Sequence, residues 1–288
     1  MTGRIVKGVG GLYTVDCGEN AYECRARGIF KKQKITPLVG DYAEISVIDD
    51  NKRSGYILKI LPRENELLRP RAANIDLAVI VFSVASPAIS PVVLDKFIVL
   101  IEKAGLDIIL CFNKTDLISK KDFESFADIY RKIGYAVILS SAHGGEGIDE
   151  LLFHMKGRTS VLAGPSGVGK SSIVNAVLPE KHMATGELSR KIERGKNTTR
   201  HAELIKIPGL DSGFVADTPG FTSLSAETVP RDDLRLYFRE FGAFLGKCRY
   251  NDCIHDAEPD CAVKAAVGDE ISVSRYESYI YLLKETGE

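Results

Sequence analysis

Gly164-Pro165-Ser166-Gly167-Val168-Gly169-Lys170-Ser171 satisfies the spacing G-x-x-x-x-G-K-[ST]. Glycines at 164, 167 and 169 let the backbone turn so that successive N–H groups converge on phosphate oxygens. The Lys170 ammonium is placed for the β- and γ-phosphates, and the Ser171 hydroxyl for Mg²⁺. Ser172 continues the helix whose N-terminus faces the phosphates. Earlier in the chain stands Asn113-Lys114-Thr115-Asp116. A carboxylate at Asp116 accepts from both N1–H and the 2-amino group of guanine, a donor pair that adenine lacks, so the pattern selects GTP over ATP. Asn113 is read as a tie between loops and the Lys114 stem as packing on the base face. Ser141-Ala142 follows an apolar strand, and the Ala142 N–H is a candidate donor to guanine O6.

Beyond the phosphate loop lie two further segments. Asp217-Thr218-Pro219-Gly220 supplies a carboxylate that reaches Mg²⁺ through water and a glycine N–H, that of Gly220, that senses the γ-phosphate. Gly195-Lys196-Asn197-Thr198-Thr199-Arg200-His201 holds two hydroxyls, Thr198 and Thr199, one of which is the second protein ligand to Mg²⁺. The spacing does not say which. Cys248, Cys253, His255 and Cys261 follow C-x₄-C-x-H-x₅-C. Three thiolates and an imidazole make a closed tetrahedral site for one Zn²⁺, structural because no ligand position is left for water. Cys17, Cys24 and Cys111 stand singly and argue against a disulfide framework.

The elements that must position these groups are readable. Thr159–Ala163 is a short buried strand entering the phosphate loop, and residues 171–178 form a helix ended by Pro179. Asp76–Phe82 and Asp107–Phe112 are apolar strands alternating with helices such as 91–105 and 122–134, the pattern of an α/β domain. Residues 1–70 show five short strand-like runs separated mostly by glycines, suited to an oligonucleotide-binding barrel. Pro62 to Pro70 reads as a charged, proline-flanked linker. Three domains follow: 1–70, an RNA-binding barrel; 71–223, the nucleotide domain; 224–288, mostly helical and metal-bearing.

The 288 residues are 44% hydrophobic, with a net charge of −1. No apolar run approaches the ~20 residues of a membrane helix and no signal-peptide pattern opens the chain, so a soluble cytoplasmic protein is expected. The even balance gives no global basic footprint, but residues 1–70 carry twelve Lys/Arg against nine Asp/Glu. Arg25, Arg27, Lys31, Lys32 and Lys34 cluster there with Tyr22 and Phe30, read as exposed aromatics suited to RNA.

The order of guanine motif, Ser-Ala, phosphate loop, Thr-Thr and Asp-Thr-Pro-Gly inverts that of ordinary small GTPases and marks a circularly permuted one. With the Cys/His spacing and the barrel, the whole chain resembles the family of ribosome small subunit-dependent GTPase A, bacterial ribosome-assembly factors. The resemblance implies GTP hydrolysis to GDP stimulated by the small (30S) subunit, contact with 16S rRNA in late subunit maturation, and a monomer without membrane attachment. In that family a histidine just before the switch threonines is the proposed water-positioning group. The matching residue here is Asn197, and Phe221 occupies the position where Ras-like enzymes carry glutamine. Slow hydrolysis by the chain alone is therefore expected. The second reading is a nucleotide-gated RNA- or ribosome-binding switch with negligible turnover.

Overall fold

A computed structural model of the chain describes residues 1–28, 30, 35–68, 71–178, 202–210, 212–217 and 229–286. Asn197, Thr198, Thr199, His201, Gly220 and Phe221 lie outside the described residues, as do Lys31, Lys32 and Lys34. The chain forms two compact units. The first comprises Met1–Ala78, Glu150–Leu162 and Val177–Thr222; the second Val79–Asp149, Ala163–Ala176 and Ser223–Glu288.

The first unit begins with β1 (Thr2–Val9), β2 (Leu12–Asp16), β3 (Ala21–Ala26), β4 (Tyr42–Asp49) and β5 (Ser54–Ile60). Antiparallel β1–β2 and β2–β3 pairs lead to a parallel β3–β5 pair, and antiparallel β5–β4 and β4–β1 pairs return to the start. The circuit is a closed five-stranded barrel, which leaves no free edge within it. Period-two alternation fills it: Tyr22 and Cys24 of β3, Ala43 and Ile45 of β4, and Ile57 of β5 point inward beside Ile5, Val15 and Phe30. A Cβ on Gly55 would lie 2.7 Å from the Ser46 carbonyl oxygen, so the β4–β5 contact demands glycine there. Gly10 and Gly11, both at positive φ, make the two-residue turn between β1 and β2.

This arrangement corrects two expectations. Tyr22 and Phe30 are core residues, 2% and 4% exposed, not surface aromatics. Odd–even alternation along β3 puts Tyr22 and Cys24 on the inner face and Arg25 on the outer. The described part of the expected linker, residues 62–68, is also folded. β6 (Glu66–Leu68) and β7 (Arg71–Ala73) form a hairpin. Arg63 clamps the fully buried Asp41 through Nε and Nη2 at 2.7 and 2.8 Å, and also pairs with Glu66.

β8 (Leu77–Ser83) is buried along its length, as expected of a strand covered on both faces. α1 (Pro91–Lys103), β9 (Asp107–Asn113), α2 (Lys120–Lys132), β10 (Ala136–Ser140), α3 (Ile148–Met155), β11 (Thr159–Ala163) and α4 (Lys170–Val177) continue the alternation. Within the second unit β8, β9 and β10 are neighbours in that order, with β9 and β10 parallel. Within the first, β12 (Glu203–Lys206) and β13 (Phe214–Asp217) pair antiparallel. β13 runs parallel to β11, and β12 meets barrel strand β1 at Lys7 and Glu203. The Arg4 guanidinium lies 5.1 Å from the Tyr42 ring and 5.3 Å from that of Phe214, joining barrel to hairpin.

The C-terminal part of the second unit contains 3₁₀ turns at Arg231–Tyr237 and Arg239–Phe241, the short helix α5 (Ala262–Ala265) and α6 (Val273–Glu285). Leu234, Phe238, Phe241, Tyr279, Leu282 and Leu283 pack with Val99 and Leu100 of α1. Among the described residues no helix is long and apolar enough to cross a membrane.

A candidate nucleotide site and a candidate metal centre

The phosphate loop leaves β11 and closes on the N-terminus of α4, the strand–loop–helix context that its spacing predicts. Its glycines are dictated by geometry. Gly164 has φ 133° and a Cβ there would meet the Val81 carbonyl oxygen at 2.1 Å; Gly169 has φ 99° and a Cβ would meet Asn113 Nδ2 at 2.2 Å. Gly167, at φ 81°, is also left-handed. Lys170 Nζ donates to the Gly164 and Pro165 carbonyls at 2.7 and 2.6 Å, and burial pushes its pKa down to about 8. The side chain thus folds over the loop, held where an incoming polyphosphate would favour its charged form. Ser171 and Ser172 are half-buried in the first turn of α4, the place where a hydroxyl can serve a magnesium ion beside phosphates.

Asn113 ends β9 and is 2% exposed. Its Nδ2 donates to the Val168 carbonyl at 3.0 Å, while its Oδ1 accepts from the Ala142 N–H at 3.1 Å. One carboxamide therefore ties the phosphate loop to the loop after β10. The Ala142 N–H expected to meet guanine O6 is engaged by this bond, so a base contact there would require sharing. Lys114, at φ 70°, donates from Nζ to the Gly167 and Ser86 carbonyls, which stretches its stem along the rim of the phosphate loop. Asp116 is exposed. The Ser141 hydroxyl donates to its Oδ1 at 2.6 Å and holds the carboxyl below its usual range, helped by His143 and Lys114. A carboxylate fixed and kept charged is what a two-donor purine edge requires.

Ser86 and Glu146 were missed by sequence reasoning. Glu146 accepts from the Thr115 hydroxyl at 3.2 Å, and its backbone carbonyl accepts from the Ser141 N–H at 3.0 Å. Its one signal in sequence is the pair of flanking glycines, Gly145 and Gly147, both at positive φ. Asp217 closes β13, in register with Glu203 of β12.

Cys248, Cys253, His255 and Cys261 converge. Their ligand atoms all lie within 4.8 Å of one another. His255 Nδ1 is 3.6, 3.4 and 3.4 Å from the Sγ atoms of Cys248, Cys253 and Cys261, and Cys248 Sγ is 3.8 Å from Cys261 Sγ. A tetrahedral Zn²⁺ with ordinary bond lengths has S···S edges of roughly 3.8 Å and S···N edges of roughly 3.6 Å. The quartet fits zinc. The Tyr276 and Tyr279 hydroxyls bond the His255 and Ile254 carbonyls, and the Lys264 N–H points at Cys261 Sγ, so helices α5 and α6 brace the knuckle.

Comparison with known proteins gives the family. Residues 60–227 match the model of the RsgA GTPase family, and residues 2–57 that of the RsgA N-terminal domain. The small ribosomal subunit biogenesis GTPase RsgA of Alkaliphilus metalliredigens is 45% identical over 98% of this chain and 97% of its own. That of Caldanaerobacter subterraneus is 47% identical over 100% and 96%. The crystal structure of YjeQ from Thermotoga maritima superposes with a TM-score of 0.85 at 36% identity, covering 99% of this chain and 98% of that one. YloQ, described as a circularly permuted GTPase, gives 0.82 at 36% identity over 99% and 94%. Matched by both models and by relatives along nearly its whole length, the chain belongs to the RsgA GTPase family and is a GTP hydrolase.

Proposed function

We propose that the chain acts on the small ribosomal subunit in the cytoplasm, hydrolysing GTP as a step in subunit maturation and touching the 16S rRNA through its barrel. The naming of its relatives as small-subunit biogenesis GTPases supports the partner. The observation that carries the nucleotide assignment is the Asn113 carboxamide. It ties the glycine-rich loop to the loop after β10 through Val168 and Ala142, which supports one nucleotide meeting both. The boundaries proposed are 1–70 for the barrel, 71–223 for the GTPase domain and 224–288 for the metal-bearing domain. The join between the two matched models, at residues 57 and 60, supports a barrel that ends before the nucleotide domain begins.

In this reading the backbone N–H groups of residues 164–171 and the N-terminus of α4 receive the phosphates. Lys170 exchanges its two loop carbonyls for phosphate oxygens. Asp116, steadied by Ser141, reads the guanine edge. Ser171 and one of Thr198 and Thr199 would hold the Mg²⁺ carried with the nucleotide, and Asp217 would act through water; the ion, when bound, would supply countercharge to the phosphates. Gly220 reports the γ-phosphate. Asn197 would orient the attacking water through its amide; an amide cannot accept a proton from that water. The zinc quartet braces the C-terminal fold.

The test is GTP turnover of the chain alone and with purified small or large subunits, using Lys170→Ala as the blank. Stimulation by small subunits only is expected. Tight nucleotide binding without stimulation would instead favour a slow switch. Turnover in Asn197→Ala that exceeds wild type would remove Asn197 from any positioning role.

A further inference from the structure

β8 and β9 are neighbours in the sheet, and the turn that leaves β8 meets the Asn-Lys-Thr-Asp segment at the end of β9. The Val84 N–H donates to the Asn113 carbonyl at 2.9 Å, and the Ser86 carbonyl accepts from Lys114 Nζ. What fixes that Ser86 carbonyl is Ser83, the last residue of β8. Ser83 is wholly buried, whereas Ser86 is exposed. The Ser83 hydroxyl accepts from the Ala85 N–H at 3.3 Å and donates to the Ser86 carbonyl at 2.9 Å. A serine bonded to the backbone two and three residues ahead closes its own local turn. The Ser86 oxygen therefore receives a hydroxyl and an ammonium, which fills both of its lone pairs. Lys114 Nζ gives a second N–H to the Gly167 carbonyl at 2.8 Å. Its side chain is stretched towards two fixed oxygens.

We infer that Ser83 is a positioning residue for the nucleobase, acting through the Ser86 carbonyl to hold the Lys114 stem extended as a shelf for the ring. The inference rests on the reading of residues 113–116 as the base site, and it adds a residue that lies outside every motif of that site. A lysine stem is apolar along its length and charged only at its tip, so pinning the tip leaves the methylenes free to cover a flat ring. A loose lysine would lose its rotamer freedom when the base arrived, at a cost in affinity. A stem already held has lost that freedom beforehand. A hydroxyl that merely ended a strand would act on stability alone, and its effect would not depend on Lys114.

The experiment measures displacement of a fluorescent GDP from the full chain by GDP and by inorganic tripolyphosphate, with thermal melting as the check of fold. Ser83→Ala should weaken GDP about fivefold, the order of one hydrogen bond, and should leave tripolyphosphate, which has no base, within about twofold. In GTP turnover the loss should fall on KM and not on kcat. Lys114→Met should weaken GDP too, and Ser83→Ala placed in that background should add nothing further. Losses that add in the double variant, or a tripolyphosphate affinity that falls as far as that of GDP, would overturn the role of Ser83. A Ser83→Ala chain that melts lower yet binds GDP as wild type would make the serine a strand end and no more. If Lys114→Met itself bound GDP as wild type, the base reading of residues 113–116 would fail instead.

Discussion

Asn113 and Val168 stand 55 residues apart in sequence and 3.0 Å apart in space, carboxamide nitrogen to carbonyl oxygen. The bond fixes the phosphate loop to the end of β9, and Gly169 leaves the room that the Asn113 amide occupies. Two substitutions separate its functions. Asn113→Ala strands the Val168 carbonyl and the Ala142 N–H in a buried place, with a stability loss of about 2–3 kcal/mol expected. Asn113→Asp can still accept from Ala142 but cannot donate to Val168, so it should disorder the phosphate side more than the base side. Urea unfolding and GDP affinity measure both. Wild-type GDP affinity in Asn113→Asp would detach the Val168 bond from nucleotide binding.

The Lys170 ammonium titrates at about 8 because burial disfavours its charge. Phosphate anions favour that charge, so the bound complex holds the proton to higher pH. The sign follows. Below pH 8 the lysine is charged with or without nucleotide, and GDP affinity is flat. Above pH 8 binding must take up a proton, and affinity should fall up to tenfold per pH unit until the complex itself titrates. Calorimetry at pH 8.5 in two buffers of different ionisation enthalpy should register proton uptake. Lys170→Arg should abolish it. Uptake that survives in Lys170→Arg would point to another group.

The local structure of the candidate nucleotide site was legible because it is local in sequence: a glycine run before a helix, and a polar turn after an apolar strand. What was not legible depends on partners far along the chain. Nothing near Arg63 announces Asp41, so a charged stretch reads as a linker when it is a folded hairpin. Tyr22 beside Arg25 looks like a surface aromatic until the barrel closes and strand alternation turns it inward. The aromatic that does stand beside Arg25 is Tyr56, brought there by a parallel pairing that no local pattern specifies. The order of the motifs, by contrast, was legible in full, because permutation is a property of sequence alone.

Zinc at the Cys/His quartet should be a folding element. Phe241 packs edge-on against the His255 ring with centroids 5.8 Å apart, and Tyr279 lies 4.9 Å from Phe241 and, tilted, 6.4 Å from His255. The knuckle and the C-terminal core therefore share side chains. Chelation, or Cys253→Ser, is expected to release the metal and to expose this core, read as a lower melting temperature and dye binding. Cobalt(II) in place of zinc should give thiolate charge-transfer absorption of a tetrahedral site. A chain purified without metal that melts as the zinc-loaded form does would remove zinc from the fold.

Among the described residues Arg275 is the largest wholly buried side chain, and its charge is answered on both sides. Nη1 donates to Asp95 Oδ1 at 2.6 Å, Nε and Nη2 to Glu240 at 2.6 and 3.0 Å, and Tyr130 adds a hydroxyl to Asp95. The guanidinium lies 4.6 Å from the Phe238 ring. This knot fastens α6 to α1 and to the turn at Arg239–Phe241. Removing the cation leaves two buried carboxylates without a counter-charge, so Arg275→Met should cost about 3–5 kcal/mol in urea unfolding. Asp95→Asn in the same background should recover part of that, since one stranded charge is gone. Arg275→Lys keeps the charge but loses the fork that meets two carboxylates at once, and an intermediate loss is expected. If Arg275→Met lost under ~1 kcal/mol, or if Asp95→Asn deepened its loss, the pairing would not be what holds the C-terminal region to α1.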